Sequence, residues 1–332
     1  MKPKKLIFKT FLLLGIAALV AIIFSDSLYS WGFYGHKKIN RTAVLILPPE
    51  MIGFYKKHIE YLTQHAIDPD KRAFSDEHEA VRHYIDIDHY GAHPFDSIPK
   101  KWSDAVAKYT EDTLNTYGIN PWWVEKMYYR LIEAFKAMNV DKILNISANL
   151  GHYIGDACVP LHTTQFYDGK SSDMKGIHSF WESRIPELFG DNYDFFVGQA
   201  EYIENPNAQI WKLTKSGNEA IDTIYMVQMK MLSEYPADKI YTYESRGQTT
   251  VKVFSKEYSK QFSILLNNMV ERRMQLAVKM TASFWYTAWV NAGQPDLSKI
   301  ENKEISDSLK QKDEEIEKMW KTGKPKGRPN PD

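Results

Sequence analysis

Cysteine is almost absent from this sequence of 332 residues, which contains Cys158 alone. A single cysteine cannot form an intramolecular disulfide, so stability in an oxidising compartment has to come from packing or from bound metal. A lone thiol is more often a small buried residue than a metal ligand. We therefore predict that Cys158 lies in the core.

Excess charge and strand-like patterns are also missing. The formal net charge is +0 at pH 7, which gives no indication of a broad surface for a phosphate backbone, so any polyanion would be held by a local site. Alternating apolar residues are limited to short pieces near residues 239–254, and no internal repeat or Gly-x-Ser-x-Gly motif occurs. These absences argue against a β-rich fold and a serine nucleophile.

The longest apolar run lies near the N-terminus. Lysines between residues 2 and 9 precede an uninterrupted apolar stretch from Phe11 to Phe24, and polar residues follow up to Ser30. This layout is typical of a secretory signal peptide, and the run is short for a membrane span. We predict cleavage after Ser30, export to the periplasm or the medium, and no stable transmembrane span afterwards. An uncleaved anchor is the alternative.

The remaining chain shows helical periodicity. Residues 31–293 are predicted to form one all-α domain, and residues 294–332 a charged, partly disordered tail with an exposed helix near 299–321. The polar segments 65–100 and 163–177 are expected to be loops that frame the site, outside the core. The predicted helices cover residues 38–47, 51–64, 102–116, 122–138, 140–156, 178–189, 208–234 and 255–291.

Several histidines stand at regular distances from carboxylates. His152 and Asp156 are four residues apart on a predicted helix, so both side chains project from one face and can reach a common metal ion. Pro160 should end that helix and allow the chain to bring His162 back beside Asp156. His178 and Glu182 repeat the four-residue spacing.

Two further clusters precede these pairs. One joins Asp68 and Asp70 to the stretch from His83 to Asp86, and the other runs from Trp31 to His36. Any one of these histidines alone would more often be an ordinary core or surface residue. Imidazole nitrogens and carboxylate oxygens without a set of thiolates suit a catalytic zinc site better than a structural one.

The combined order of motifs resembles the superfamily of zinc-dependent phospholipases C and single-strand-specific, mung-bean-type zinc nucleases. The order is Trp-Gly-x-x-Gly-His, Asp, His-aromatic-x-Asp, His-x-x-x-Asp-x-x-x-Pro-x-His and His-x-x-x-Glu, and it spans Trp31 to Glu182. The resemblance implies a multi-helix domain with three zinc ions in a cleft. It also implies that the chain hydrolyses phosphodiesters by metal-assisted attack of water, whose pKa zinc lowers to about 7.

The resemblance also implies a set of ligands, in which Asp70 and Asp156 act directly in catalysis and Asp156 bridges two ions. The amine of Trp31 would exist as a ligand only after signal cleavage. The first ion would take Asp70, His83, His152 and Asp156; the second Trp31, His36 and Asp156; the third His162, His178 and Glu182.

Two points within this resemblance stay open. Asp68 keeps a nuclease-like distance to His83, whereas Asp70 keeps a phospholipase-like Pro-Asp context, and we favour Asp70. In the nuclease branch Tyr84 would stack on a base, with Asp86 near it, although Tyr84 suits ordinary packing equally well. Lys71 or Arg72 is expected either to add positive charge at the phosphate or to be a solvated loop cation.

The branch of the superfamily also stays open. The short spacing from Trp31 to His36 is nuclease-like, whereas Glu182 and the short gap from His162 to His178 are phospholipase-like. The leading expectation is a nuclease acting on single-stranded nucleic acid, and the alternative is a phospholipase C acting on phospholipid headgroups. A non-enzymatic zinc-binding exported protein is a further alternative.

Overall fold

Helices make up most of the structure, a computed structural model that describes residues 32–246 and 249–324. The predicted all-α class and single domain are confirmed. The proposed signal peptide, Trp31 and the end of the tail after residue 324 lie outside the described residues.

The α-helices are labelled in chain order within the described ranges. They are α1 Gly32–Leu45, α2 Pro49–Lys57, α3 Ile59–Gln64, α4 Asp68–Arg72, α5 Pro94–Ser97, α6 Trp102–Tyr109, α7 Glu111–Tyr117, α8 Asn120–Lys136, α9 Val140–Ala157, α10 Ile177–Ser179, α11 Ile185–Phe189, α12 Pro206–Asn218, α13 Ile221–Glu234, α14 Lys256–Leu265, α15 Met269–Asn291 and α16 Asp307–Thr322. A π-helical turn, Phe180–Arg184, joins α10 to α11.

Helix α9 lies at the centre, between α1, α8 and α15. The Asn139 side chain caps its N-terminus by accepting a hydrogen bond from the backbone N–H of Lys142. Every residue from Ser147 to Ala157 is buried, so this helix is enclosed on all sides and carries its polar residues into the interior. The helix ends at Ala157, before Pro160, as the sequence predicts.

Four of the predicted helices are divided in the structure: 51–64, 102–116, 208–234 and 255–291. Left-handed backbone divides two of them. Thr110 has a φ of 70° and separates α6 from α7, and Asn267 and Asn268, with φ of 51° and 52°, separate α14 from α15. Such left-handed backbone interrupts an α-helix, and asparagine adopts it more readily than most residues. Apolar periodicity continues across these breaks, which explains why the sequence pattern alone predicts single helices.

The expectation that residues 65–100 and 163–177 stay outside the core is wrong. In the second segment Tyr167 and Met174 belong to the main hydrophobic core. Residues 65–100 are folded in the same way. Ile85 and Ile87 are 1% and 2% exposed and belong to the main hydrophobic core. Several short helical turns within the segment fold it against α9, so its sparse apolar residues are buried although its average composition is polar.

The strand-like residues near 239–254 form an antiparallel hairpin. Strand β1, Tyr241–Arg246, pairs with β2, Thr249–Phe254, in a register that begins with Tyr241 opposite Phe254. Arg184 of the π-helical turn donates hydrogen bonds to Glu244 and to the Phe254 carbonyl. The hairpin is thereby attached to the segment that carries Glu182.

The C-terminal helix α16 packs on α4 and buries Leu309 and Ile316. The predicted exposed helix near 299–321 thus begins later than expected and has an apolar face against the domain. None of the helices within the described ranges is long and apolar enough to cross a membrane. Cys158 is buried in the core as predicted, and burial raises the pKa of its thiol to about 12.

Candidate metal centre

Asp156 on α9 is the point where the predicted site residues meet. Its Oδ2 lies 3.0 Å from His83 Nδ1 and 3.2 Å from His152 Nε2. Its Oδ1 lies 3.4 Å from His36 Nε2 and 3.7 Å from His162 Nδ1. The two oxygens of one fully buried carboxylate therefore face different pairs of histidines.

Asp70 joins the first side of this centre. Its Oδ1 lies 3.5 Å from His152 Nε2 and 3.8 Å from His83 Nδ1. One ligand atom each from His36, Asp70 and His152 lie within 4.8 Å of one another, as do those of His83, His152 and Asp156. His152 belongs to both groups but has one free lone pair, on Nε2, so it can bind only one ion; the carboxylate of Asp156, with two oxygens, is the group that two neighbouring ions could share.

His162, His178 and Glu182 form a second group beside the first. The Nε2 atoms of the two histidines are 3.0 Å apart, and Glu182 Oε2 lies 3.2 Å from His162 Nε2 and 3.3 Å from His178 Nε2. The four-residue spacing from His178 to Glu182 crosses the junction of α10 with the π-helical turn and still places both side chains on one side.

Backbone carbonyls fix the orientation of two of the imidazoles. His152 Nδ1 lies 2.8 Å from the Ala66 carbonyl oxygen, and His162 Nδ1 lies 2.8 Å from that of His83. A carbonyl only accepts, so each Nδ1 donates, and the lone pair of the neutral ring is on Nε2, toward the carboxylates. Metal-binding histidines are commonly held by such a hydrogen bond from the other ring nitrogen.

Burial and charge shift the pKa values of the centre in opposite directions. Burial and the neighbouring His36 lower the pKa of His152 to about 3, which leaves a neutral ring. Burial raises the pKa of Asp70 well above its usual value, and nearby carboxylates add to this. Burial would also raise the pKa of Asp156, but the surrounding histidines, His152 foremost, outweigh it and hold the pKa well below its usual range.

Neighbouring side chains shift the pKa values of His83 and Glu182 in opposite directions, and in both cases they outweigh the effect of burial. Burial would lower the pKa of His83, but the adjacent carboxylates of Asp156 and Glu79 raise it to about 10. Burial would raise the pKa of Glu182, but the charges of His178 and His162 lower it to about 2. In the metal-free protein His83 therefore holds a proton that an incoming cation must displace.

Buried oxygens of the centre support a fit to metal ions. Asp70 Oδ2 and Glu182 Oε1 are buried without a hydrogen-bond partner among the residues the structure describes. An unsatisfied buried carboxylate oxygen is costly, and a coordinated cation is one of the few groups that relieves the cost. Nitrogen and oxygen donors without thiolate suit zinc or a similar divalent transition-metal ion.

Glu79 supports the centre and has no place in the sequence prediction. It is fully buried and accepts hydrogen bonds from Arg72, Arg82 and the Tyr153 hydroxyl, while its Oε1 lies 3.7 Å from His83 Nε2. Its position four residues before His83 repeats the spacing of the other two pairs, and that was the available signal. Glu79 therefore places a negative charge beside the His83 ring, on the side away from Asp156.

The two alternative carboxylates, Asp68 and Asp70, lie in different groups. Asp70 faces His83 and His152, whereas Asp68 Oδ2 lies 2.7 Å from His65 Nδ1. The Lys71 ammonium lies 2.8 Å from Glu317 on α16 and 3.6 Å from Asp68. In this arrangement the charge of Lys71 is engaged by carboxylates outside the Asp156 centre.

The predicted base-binding residues lie directly after His83 but have little accessible surface. Tyr84 and Asp86 are 7% and 6% exposed. The backbone N–H of Asp86 donates to the Tyr117 carbonyl, and Gly118 lies so close to Tyr84 that an added Cβ would overlap it. A base could stack on Tyr84 only after this packing had opened.

Trp31, the remaining predicted ligand, lies outside the described residues. The first described residue, Gly32, has its Cα against Ser183, so that an added Cβ would be 3.0 Å from Ser183 Oγ. The start of α1 therefore lies beside the segment that carries Glu182.

Comparison of the sequence with models of known protein families finds no match, and a search of curated proteins finds no similar sequence.

Proposed function

We propose that the protein is an exported zinc-dependent phosphodiester hydrolase of the zinc phospholipase C and nuclease type, acting on single-stranded nucleic acid. The observation that carries the proposal is the position of Asp156, whose two buried oxygens face separate pairs of histidines at 3.0–3.7 Å. A carboxylate in that position can hold two cations close together, because its charge reduces their mutual repulsion.

The residues divide into three groups under this proposal. Bound zinc would supply a hydrolytic water of lowered pKa and positive charge for the phosphate oxygens. Asp156 would bind both the first and the second ion, and Glu182 would bind the third ion together with His162 and His178. The first position takes Asp70, His83 and His152, the second His36 and Trp31, and the third His162, His178 and Glu182.

The surrounding protein would orient the ligand side chains and keep bulk water away from them. The Ala66 and His83 carbonyls keep the Nε2 atoms of His152 and His162 directed into the site. Glu79 holds His83 from the opposite side and is itself paired with Arg72 at 2.9 Å. Because Asp156 and Glu182 are fully buried, their negative charges act in a medium of low polarity, where they bind a cation strongly.

Phospholipid hydrolysis is the second candidate, and Glu182 is the observation that favours it. Glu182 lies within 3.3 Å of both histidines of the third group, and a glutamate there matches the phospholipase pattern in the sequence resemblance. Both activities would use the same ions, so the substrate has to be decided by assay.

The deciding experiment combines metal analysis with a parallel assay of the chain that begins at Trp31. We expect three zinc ions per chain at this centre and hydrolysis of single-stranded DNA or RNA that a chelator abolishes. Hydrolysis of phosphatidylcholine alone would replace the nuclease proposal by the phospholipase one. Fewer than about two zinc ions per chain would contradict the multi-zinc centre.

A matched pair of variants links any activity to this centre. His152→Gln removes a buried ring of the centre, whereas His78→Gln alters a histidine whose side chain is 72% exposed. We expect the first to lose zinc and nearly all activity and the second to retain both. Full activity in His152→Gln would refute the assignment.

A further inference from the structure

A separate group of possible metal ligands lies where α16 meets the domain. His65 precedes α4, Asp68 begins it, and Asp313 lies in the middle of α16. One ligand atom from each of these residues lies within 4.8 Å of the other two. This group contains none of the residues assigned to the Asp156 centre.

The His65 ring is held in a fixed orientation between the two carboxylates. Its Nδ1 lies 2.7 Å from Asp68 Oδ2, and its Nε2 lies 3.7 Å from Asp313 Oδ2. The ring also stacks on Tyr61, with centroids 4.0 Å apart. Each ring nitrogen therefore faces a carboxylate, and a metal ion could replace the proton between the ring and one of them.

Asp313 provides an independent observation. Its side chain is only 10% exposed, and its Oδ1 is buried with no hydrogen-bond partner within the described part of the chain. Burial raises the pKa of this carboxyl group, and the charge of Asp68 adds to the rise. The charge of His65 is the largest effect that opposes this rise.

The nearby lysines lie closer to Glu317 than to this group, although Lys71 is also 3.6 Å from Asp68. Lys71 and Lys321 both reach Glu317, at 2.8 Å and 3.0 Å, and among the described residues no lysine forms a salt bridge with Asp313. The three residues line a surface cavity of about 550 Å³, which gives an ion access from solvent.

We propose that His65, Asp68 and Asp313 bind a divalent transition-metal ion, of which Zn²⁺ is the best match, at a site that fastens α16 to α4. One nitrogen and two carboxylate oxygens are a donor set that zinc accepts, with water in the remaining position. Asp70 is the third residue of α4, so the ion would also anchor the short helix that presents Asp70 to the Asp156 centre.

The test is a zinc-binding measurement on the chain that begins at Trp31, with the ion itself as the probe. Metal-free protein is dialysed to equilibrium against buffered Zn²⁺ and the bound zinc is counted. Asp313→Asn and His65→Gln are each expected to bind one ion fewer per chain. Asp307→Asn, on the same helix but with a side chain that is 90% exposed, should bind as many as the unmodified chain.

A second measurement follows α16 directly. Zinc should slow tryptic cleavage at Lys318 and Lys321 in the unmodified chain and in Asp307→Asn, and should have little effect in His65→Gln. Circular dichroism establishes that each variant is folded, and His65→Gln serves alone if Asp313→Asn does not fold. Unchanged zinc counts and unchanged zinc protection in the folded variants would overturn the proposal.

The zinc measurements distinguish a failure of the α16 site from a failure of the Asp156 centre. Asp156→Asn should remove ions from the main centre and leave the zinc protection of α16 intact. If all bound zinc depends on Asp156, the α16 site is refuted and the main centre stands. If Asp156→Asn changes nothing while His65→Gln loses one ion, the α16 site stands and the hydrolase proposal fails.

Discussion

Helices α9 and α16 both contribute carboxylates to histidine clusters, but they differ in how they are held. Helix α9 is buried along its whole second half, whereas α16 buries Leu309 and Ile316 and leaves most of its length in solvent. On α9 the proposed ligands His152 and Asp156 are four residues apart in sequence, whereas Asp313 meets His65 only through tertiary contact. The difference indicates that the first cluster is built into the core and the second depends on docking of one helix.

The largest effect should come from Asp156→Asn, which keeps the volume and removes the shared charge. We expect the hydrolytic rate to fall by about a thousand-fold or more. The variant would lose several kcal/mol of metal-derived stabilisation of the transition state, and each 1.4 kcal/mol corresponds to about a tenfold change in rate. The measurement is kcat with zinc content. Asp222→Asn, at a side chain that is 92% exposed, is the control, and equal rates in the two variants would remove the contrast between core and surface carboxylates.

Deletion of the same side chain from each helix tests how each is held. Ile154 on α9 is 0% exposed and Ile316 on α16 is 4% exposed. Ile154→Ala should reduce the global free energy of unfolding by about 2–5 kcal/mol. Ile316→Ala should leave the global transition nearly unchanged and open α16 locally, since an edge helix unfolds on its own. Denaturant unfolding and limited proteolysis distinguish these results, and a large global loss in Ile316→Ala would show that α16 belongs to the core.

Two buried helical glycines give a smaller test of the packing around α9. An added Cβ at Gly151 would overlap Asn40 Oδ1 from α1, whereas one at Gly217 on α12 would be 3.5 Å from Thr163 Cγ2. Gly151→Ala should cost about 1–3 kcal/mol by overpacking. Gly217→Ala should be neutral or stabilise by up to about 1 kcal/mol through helix propensity. Equal thermal shifts in both would contradict close contact of α9 with α1.

The smallest effect concerns pH in the metal-free protein. The folded-state pKa of His152 is about 3, below its ordinary 6.5, so between these values the unfolded chain binds more protons. The free energy of unfolding should therefore fall as the pH drops from 6.5 to 5.5, by at most about 1.4 kcal/mol. Urea unfolding with a chelator measures this fall. The free energy of unfolding should fall less in His152→Gln than in His78→Gln. Equal falls in the two variants would show that the pKa of His152 is not lowered in the folded protein.

Local spacing explains which site residues the sequence predicts well. His152 and Asp156, and likewise His178 and Glu182, are four apart, and helical geometry alone brings each pair to one face. The helical class follows in the same way from apolar periodicity. Their roles as ligands stay predictions, but their proximity to one another is a direct consequence of the sequence pattern.

Tertiary contacts explain what the sequence leaves out. Glu79 lies in a segment that the sequence predicts to be a loop, and only the fold turns it toward His83 and Arg72. Asp313 lies in a charged segment whose pattern resembles a solvated tail, and its partner His65 is far away in sequence. The engagement of Lys71 by Glu317 depends on the same docking of α16.

The stacked rings of His36 and His152, with centroids 3.8 Å apart, have a consequence for the order of folding. His36 comes from the first described helix and Glu182 from the middle of the chain, so the centre closes only after contacts between distant segments have formed. Contacts of long sequence separation form slowly, because the entropy of loop closure is lost before they stabilise the chain. Metal capture should therefore be a late event in refolding, and the zinc-binding free energy would be added to the stability of the native state alone.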